Sequence, residues 1–121
     1  MTSNESSTIL VIGKDTTLNY LLGRFAEHGG YQLKINSEHL STHEIAAINP
    51  AVIIFLSTEQ LARDPGLLTE LASLDTPIVV CSSIAEKARA IELGADYCLL
   101  HPLTYDDFKT ALVNATSSKR G

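Results

Sequence analysis

Five short apolar runs, separated by stretches of helical spacing, constrain this chain more than any other feature. Three of them are rich in Val and Ile and too short for helices: Thr8 to Ile12, Ala51 to Leu56 and Pro77 to Cys81. Such runs suit strands buried on both faces, as in a parallel sheet. Tyr31 to Ile35 alternates more and reads as a strand nearer an edge, and Tyr97 to Leu100 is a fifth short strand.

Helical patterns fill the gaps. Leu18, Leu21, Leu22 and Phe25 follow i, i+3, i+4, i+7 spacing, with Asp15 as a cap before them and Gly29-Gly30 as a stop after them. Ser41-Thr42-His43-Glu44 is a capping-box pattern, opening a helix that must end before Pro50. Asp64-Pro65 reads as cap and first residue of a helix whose apolar face is Leu67, Leu68, Leu71 and Leu74. Ser83-Ile84-Ala85-Glu86 is a second capping box, with Gly94 as the stop. Thr104 to Asp107 opens a final helix carrying Phe108, Leu112 and Val113.

The predicted order is therefore βαβαβαβαβα. Right-handed crossovers turn that order into a parallel sheet with helices on both faces. Five units in this length fit a flavodoxin-like, three-layer αβα fold with strand order 2-1-3-4-5, in which ligands bind at the carboxyl ends of the strands. The chain has 121 residues, the length of one domain. Residues 7–116 are expected to form it, with 1–6 a disordered N-terminus and 117–121 a flexible tail.

Composition removes several classes of function. A formal charge of −5 argues against non-specific binding to nucleic acid or to anionic membranes. No apolar run approaches the ~20 residues of a membrane span. The polar N-terminus offers no secretory signal, and Cys81 and Cys98 sit in apolar strand segments. That usage suggests reduced, buried thiols and a cytoplasmic setting.

The strand ends offer little catalytic chemistry. Gly13-Lys14-Asp15-Thr16-Thr17 is a single-glycine turn, short of a dinucleotide or P-loop pattern, and Asp15 serves it as a helix cap. His28, His39, His43 and His101 are scattered. The pair His39 and His43 straddles a helix start and lacks a third ligand. Ser57 or Ser82 with His101 could form a Ser–His pair, yet no Gly-x-Ser-x-Gly elbow is present. These residues call for no catalytic group, metal or cofactor.

The same positions carry a resemblance. Thr76 to Ser83 resembles the fourth strand of response-regulator receiver domains, the CheY-like family of two-component signalling. Ala88 to Leu103, with its Ala-rich helix, Gly94-Ala95-Asp96, strand and His101-Pro102-Leu103, resembles the family's Gly-Ala-Asp and Lys-Pro-Phe signature. Thr8 to Ile12 matches the first strand, and Asn49-Pro50 introduces the third as it does in the family. The similarity covers about residues 7–115 and implies the fold given above.

The family's chemistry does not carry over with it. Its two metal-holding acids fall on Gly13 and Lys14, its phosphorylated Asp on Leu56, its Lys on His101 and its switch aromatic on Cys98, beside Tyr97. Only the Thr/Ser position is kept, as Ser82. Mg²⁺ requires hard anionic oxygens, and phosphoryl transfer requires a nucleophile. The resemblance therefore implies a degenerate pseudo-receiver, not an enzyme, with a degenerate pocket formed by Gly13, Lys14, Asp15, Leu56, Ser57, Ser82 and His101.

Receivers signal through the face of their fourth helix, fifth strand and fifth helix, about residues 84–112 here. The resemblance implies contact with a protein partner, or with a second copy, through Lys87, Ala88, Ile91, Glu92, Asp96, Tyr97, Leu99, Asp106 and Lys109. An alternative is a sensor that takes a small molecule or anion in the degenerate pocket.

Overall fold

The computed structural model describes residues 7–36, 40–63 and 65–120. The N-terminal segment 1–6, His39 and Asp64 lie outside the described residues. Five strands form one parallel sheet: β1 (Thr8–Ile12), β2 (Gln32–Asn36), β3 (Val52–Phe55), β4 (Ile78–Ser82) and β5 (Tyr97–Leu100). Their order is β2-β1-β3-β4-β5, as the alternation of runs and helices predicts. The register pairs Ile9 with Leu33 and Val52, and Val80 with Cys98.

Among the described residues, six α-helices connect and cover the sheet: α1 (Thr16–Gly29), α2 (Thr42–Ile48), α3 (Thr58–Ala62), α4 (Pro65–Leu74), α5 (Lys87–Leu93) and α6 (Tyr105–Arg120). Alternate strand residues point to opposite faces and create two cores. Ile9, Val11, Val52, Ile54, Val79, Cys81 and Leu99 pack against Leu22 and Ala26 of α1 and Phe108, Ala111 and Leu112 of α6. Leu10, Ile53, Phe55, Ile78, Val80 and Cys98 pack against Ile45, Leu61, Leu67, Leu71 and Ala90 of α2 to α5. Both faces of the central strands are dry, which is why their sequences read as unbroken apolar runs.

The helix ends follow local chemistry. Asp15 Oδ1 accepts the Leu18 N–H at 3.0 Å. Gly30, at φ 82°, closes α1 in the left-handed conformation, which a side chain would oppose. Ser41 and Glu44 form a complete reciprocal capping box.

The structure differs from the sequence reading at three places. The pattern at Ser83 forms no capping box: the Glu86 N–H bonds to the Ser83 carbonyl at 3.1 Å, which tightens Ile84–Glu86 into a 3-10 turn. Glu86 then becomes the cap position of α5 instead of its third residue. A sixth helix, α3, follows β3 where the sequence reading assigns no element. The backbone of α6 remains helical to Arg120, through most of the tail expected from residue 117.

Candidate functional site

The carboxyl ends of β1, β3 and β4 converge, so Gly13, Leu56 and Ser82 lie on one edge of the sheet. The Gly13 N–H donates to the Asn36 carbonyl at 3.0 Å, and the Leu56 N–H to the Ile12 carbonyl at 3.2 Å. Gly13 adopts φ +146°, a conformation that side chains oppose. A Cβ added there would lie 2.7 Å from Leu56 Cγ and Cδ1 and 2.8 Å from its Cβ. Leu56 is therefore folded over the glycine, buried with the α1/α6 core.

The expected pocket is divided. Gly13, Lys14, Asp15, Leu56 and Ser57 line an open cleft of about 390 Å³, completed by Glu59, Gln60 and Arg63. Ser82 and His101 do not line it. Ser82 is buried, and its hydroxyl shares a 2.7 Å hydrogen bond with the buried Thr58 hydroxyl. His101 is exposed, and its backbone N–H donates to the Ser82 carbonyl at 3.2 Å. Ser57 Oγ accepts the Gln60 N–H at 3.0 Å as the cap of α3.

Each potential reactive group in the region is thus engaged or isolated. Ser57 caps a helix, Ser82 is tied to Thr58, and no base stands against either hydroxyl in the hydrogen bonds formed there. Cys81, one residue before Ser82, is buried in the α1/α6 core. Burial first, and the Asp15 carboxylate second, push its thiol up to about 12. Burial also raises the Cys98 thiol, against a smaller opposing effect of Lys87. Both thiols are free and buried.

The cleft does not suit a divalent cation. Gly13 and Leu56 bring no ligand oxygen from their side chains, and Lys14 brings a positive charge. Asp15 already spends one carboxylate oxygen on the α1 N-terminus. A carboxylate at position 13 would need the space that Leu56 fills. Asp15 and Glu59 are the two carboxylates of the lining, set beside Lys14 and Arg63, and among the described residues no cluster of three His, Cys, Asp or Glu could hold a metal ion.

The second expected surface lies between α5 and α6, along β5. Lys87, Ala88, Ile91 and Glu92 are exposed on α5, and Asp106 and Lys109 on α6. Lys109 stands 5.8 Å from the Tyr105 ring centroid. Lys87, Ile91, Asp96, Tyr97, Cys98 and Asp107 line a cleft of about 350 Å³. Asp96 is half-buried, and its Oδ2 accepts the Ile78 N–H at 2.8 Å, so it also anchors the start of β4. Leu99 departs from the expectation: it is 1% exposed and belongs to the α1/α6 core. Its register partner is Cys81, and both side chains point to that face. Tyr97 packs on the same face, and Cys98 on the opposite one.

Sequence reasoning did not pair Thr58 with Ser82, and it missed the cleft residues Glu59, Gln60 and Arg63. The signal was present. Ser57-Thr58-Glu59-Gln60 has the Ser-x-x-Gln spacing of a capping box.

The doubly wound order and the ligand-facing strand ends define a flavodoxin-like α/β domain. Solved structures similar to this chain include receiver domains. A response regulator receiver domain protein from Clostridium thermocellum is 20% identical with a TM-score of 0.69, the match covering 94% of this chain and 97% of that one. The N-terminal receiver domain of a two-component response regulator from Bacteroides fragilis is 18% identical with a TM-score of 0.73, covering 93% and 98%. NtrX from Brucella abortus is 20% identical with a TM-score of 0.73 over 96% of this chain, but only 27% of that longer one. The chain therefore has the receiver-domain fold. No protein-family model and no curated protein matches its sequence. Among the described residues, no helix is long and apolar enough to cross a membrane.

Proposed function

We propose that the chain is a receiver-like interaction module of two-component, phosphorelay-type signalling that is not itself phosphorylated and catalyses no reaction. The observation that carries this reading is Leu56. It stands where a receiver presents its acceptor carboxylate, and its side chain fills the space over Gly13 that a metal-holding acid would need. Such a domain has no phosphorylation-driven switch, because the nucleophile and the anionic metal ligands are both replaced. The Thr58–Ser82 hydrogen bond supports the same reading, since the one retained hydroxyl is occupied within the fold. The partner is a protein, bound through the face of α5, β5 and α6, and the setting is cytoplasmic. The acidic charge gives nucleic acid and anionic membranes no electrostatic foothold. A small-molecule or anion sensor at the strand ends is less favoured, because Ser82 and His101 stand apart from the open cleft and Leu56 fills its apolar end.

The test uses a small-molecule phosphodonor with Mg²⁺ and intact-mass analysis. The chain is expected to gain no phosphoryl group, while a phosphorylatable receiver run alongside gains one. A phosphoryl adduct on this chain would overturn the proposal.

A further inference from the structure

We propose that the cleft between α3, α4 and the end of α5 binds a compact organic ammonium ion, a primary amine carried on a small hydrocarbon. The site stands at the amino ends of β4 and β5, opposite the carboxyl ends that carry Gly13, Leu56 and Ser82. It is independent of the interaction-module reading.

The cleft holds about 300 Å³, the lower end of the range for small-molecule sites. Leu61 and Ala62 of α3, Leu68 of α4 and Leu93 of α5 give it apolar walls, and the buried Ile78 belongs to its lining.

Two polar groups interrupt this apolar lining. Thr76, just before β4, is only 9% exposed, and among the described residues its hydroxyl has no hydrogen-bond partner. The buried hydroxyls of Thr58 and Ser82 satisfy one another, which leaves Thr76 as the exception among the buried polar residues described. A hydroxyl withdrawn from water in this way calls for a partner in the cleft. Asp96, just before β5, is held by Ile78 in both directions. Its N–H donates to the Ile78 carbonyl at 2.7 Å, and its Oδ2 accepts the Ile78 N–H at 2.8 Å. The carboxylate is thus fixed, and its second oxygen has no partner among the described residues. Thr69 is already engaged, since its hydroxyl donates to the Pro65 carbonyl at 3.2 Å.

The charge selects the ligand. Of the described residues that line the cleft, Asp96 alone is charged, so an anion finds no counter-ion there. One carboxylate among leucines offers too few oxygens for a divalent cation. An ammonium group needs only what is present, acceptor oxygens at Asp96 and Thr76, the first in a charge-assisted hydrogen bond. Its hydrocarbon part then covers the leucines. The formal charge of −5 draws a cation to the molecule.

Amide-resolved NMR of the full chain with phenethylamine as the probe tests the proposal. A ligand of about nine heavy atoms reaches about millimolar affinity, so the titration runs to about 20 mM. Saturable shifts are expected at Leu68, Thr76, Leu93 and Asp96. Phenethyl alcohol, which lacks the charge, should bind about tenfold more weakly, and phenylacetate should not bind. Asp96→Asn keeps an oxygen for the Ile78 N–H and should weaken amine binding about tenfold. Thr76→Val should weaken it severalfold without lowering stability in urea, because the hydroxyl has no partner within the fold to lose. Absence of saturable shifts at the cleft overturns the proposal, as does equal binding of amine and alcohol or an Asp96→Asn variant that binds the amine like wild type. None of these results bears on phosphorylation, whose appearance would overturn the interaction-module reading alone.

Discussion

Gly13 and Leu56 should behave as one unit, and a double-mutant cycle measures this. In Gly13→Ala the new methyl meets three side-chain carbons of Leu56 at 2.7–2.8 Å, including the Cβ, which cannot swing away without the backbone. Overpacking of this kind costs about 1–3 kcal/mol. The backbone at φ +146° adds strain of about 1–3 kcal/mol for a residue with a Cβ. Together they predict a loss of about 2–6 kcal/mol, a large share of a stability of about 5–15 kcal/mol. Leu56→Ala alone leaves a cavity in the α1/α6 core, at about 2–5 kcal/mol. In the double variant the methyl at position 13 enters space that Leu56 has vacated, so the overpacking cost disappears and only the strain remains. The two losses should therefore sum to about 1–3 kcal/mol more than the double variant loses. Urea denaturation of the four proteins supplies the numbers. A Gly13→Ala variant with wild-type stability, or two losses that simply add, would refute the packing argument.

Other outcomes follow from the same geometry. Ser82→Ala strands the buried Thr58 hydroxyl and should cost about 1–3 kcal/mol, and pairing it with Thr58→Val should recover part of that loss in the same denaturation assay. The Cys81 thiol stays protonated in the fold up to pH about 12, while in the unfolded chain it ionises near its ordinary value of 9.0. Its contribution is complete below pH 9 and is lost as pH rises from there towards 12, at about 1.4 kcal/mol per unit. The stability advantage of wild type over Cys81→Ala should therefore shrink by about 1.4 kcal/mol between about pH 8 and about pH 10, and a constant difference would contradict the burial argument. Asp15→Ala removes the cap of α1 and should cost about 1 kcal/mol, with Asp15→Ser retaining most of the stability.

The sheet was legible because its strands are buried on both faces. Val, Ile and Leu then occupy consecutive positions, and no helix of that length would show them. Boundaries were less legible where one residue serves two elements. Tyr31 reads as strand, yet its N–H donates to the Ala26 carbonyl at 2.8 Å as part of the α1 cap, so β2 starts at Gln32. Ser57 and Ser83 show the limits of motif reading: both stand at the capping-box spacing, but only Ser57 accepts a bond as a cap. What separates them is the 3-10 turn after Ser83, in which the Glu86 N–H bonds to the Ser83 carbonyl instead of its side chain. Leu99 failed as a surface residue because all four positions of β5 are apolar or aromatic, so alternation could not say which side faced out. That positions 13, 14 and 56 carry Gly, Lys and Leu needed only the sequence. The packing of Leu56 over Gly13, and the capture of Ser82 by Thr58, depend on side-chain geometry between elements more than 20 residues apart.

The most direct test of the central claim is an amide-resolved NMR titration with Mg²⁺, then with Mg²⁺ and beryllofluoride, which mimics an acyl phosphate. The account predicts no saturable shifts at Lys14, Leu56, Ser82 or His101, and none spreading to α5 and α6. Saturable shifts at those strand ends, carried on to the α5–β5–α6 face, would contradict it and make the chain a switchable receiver.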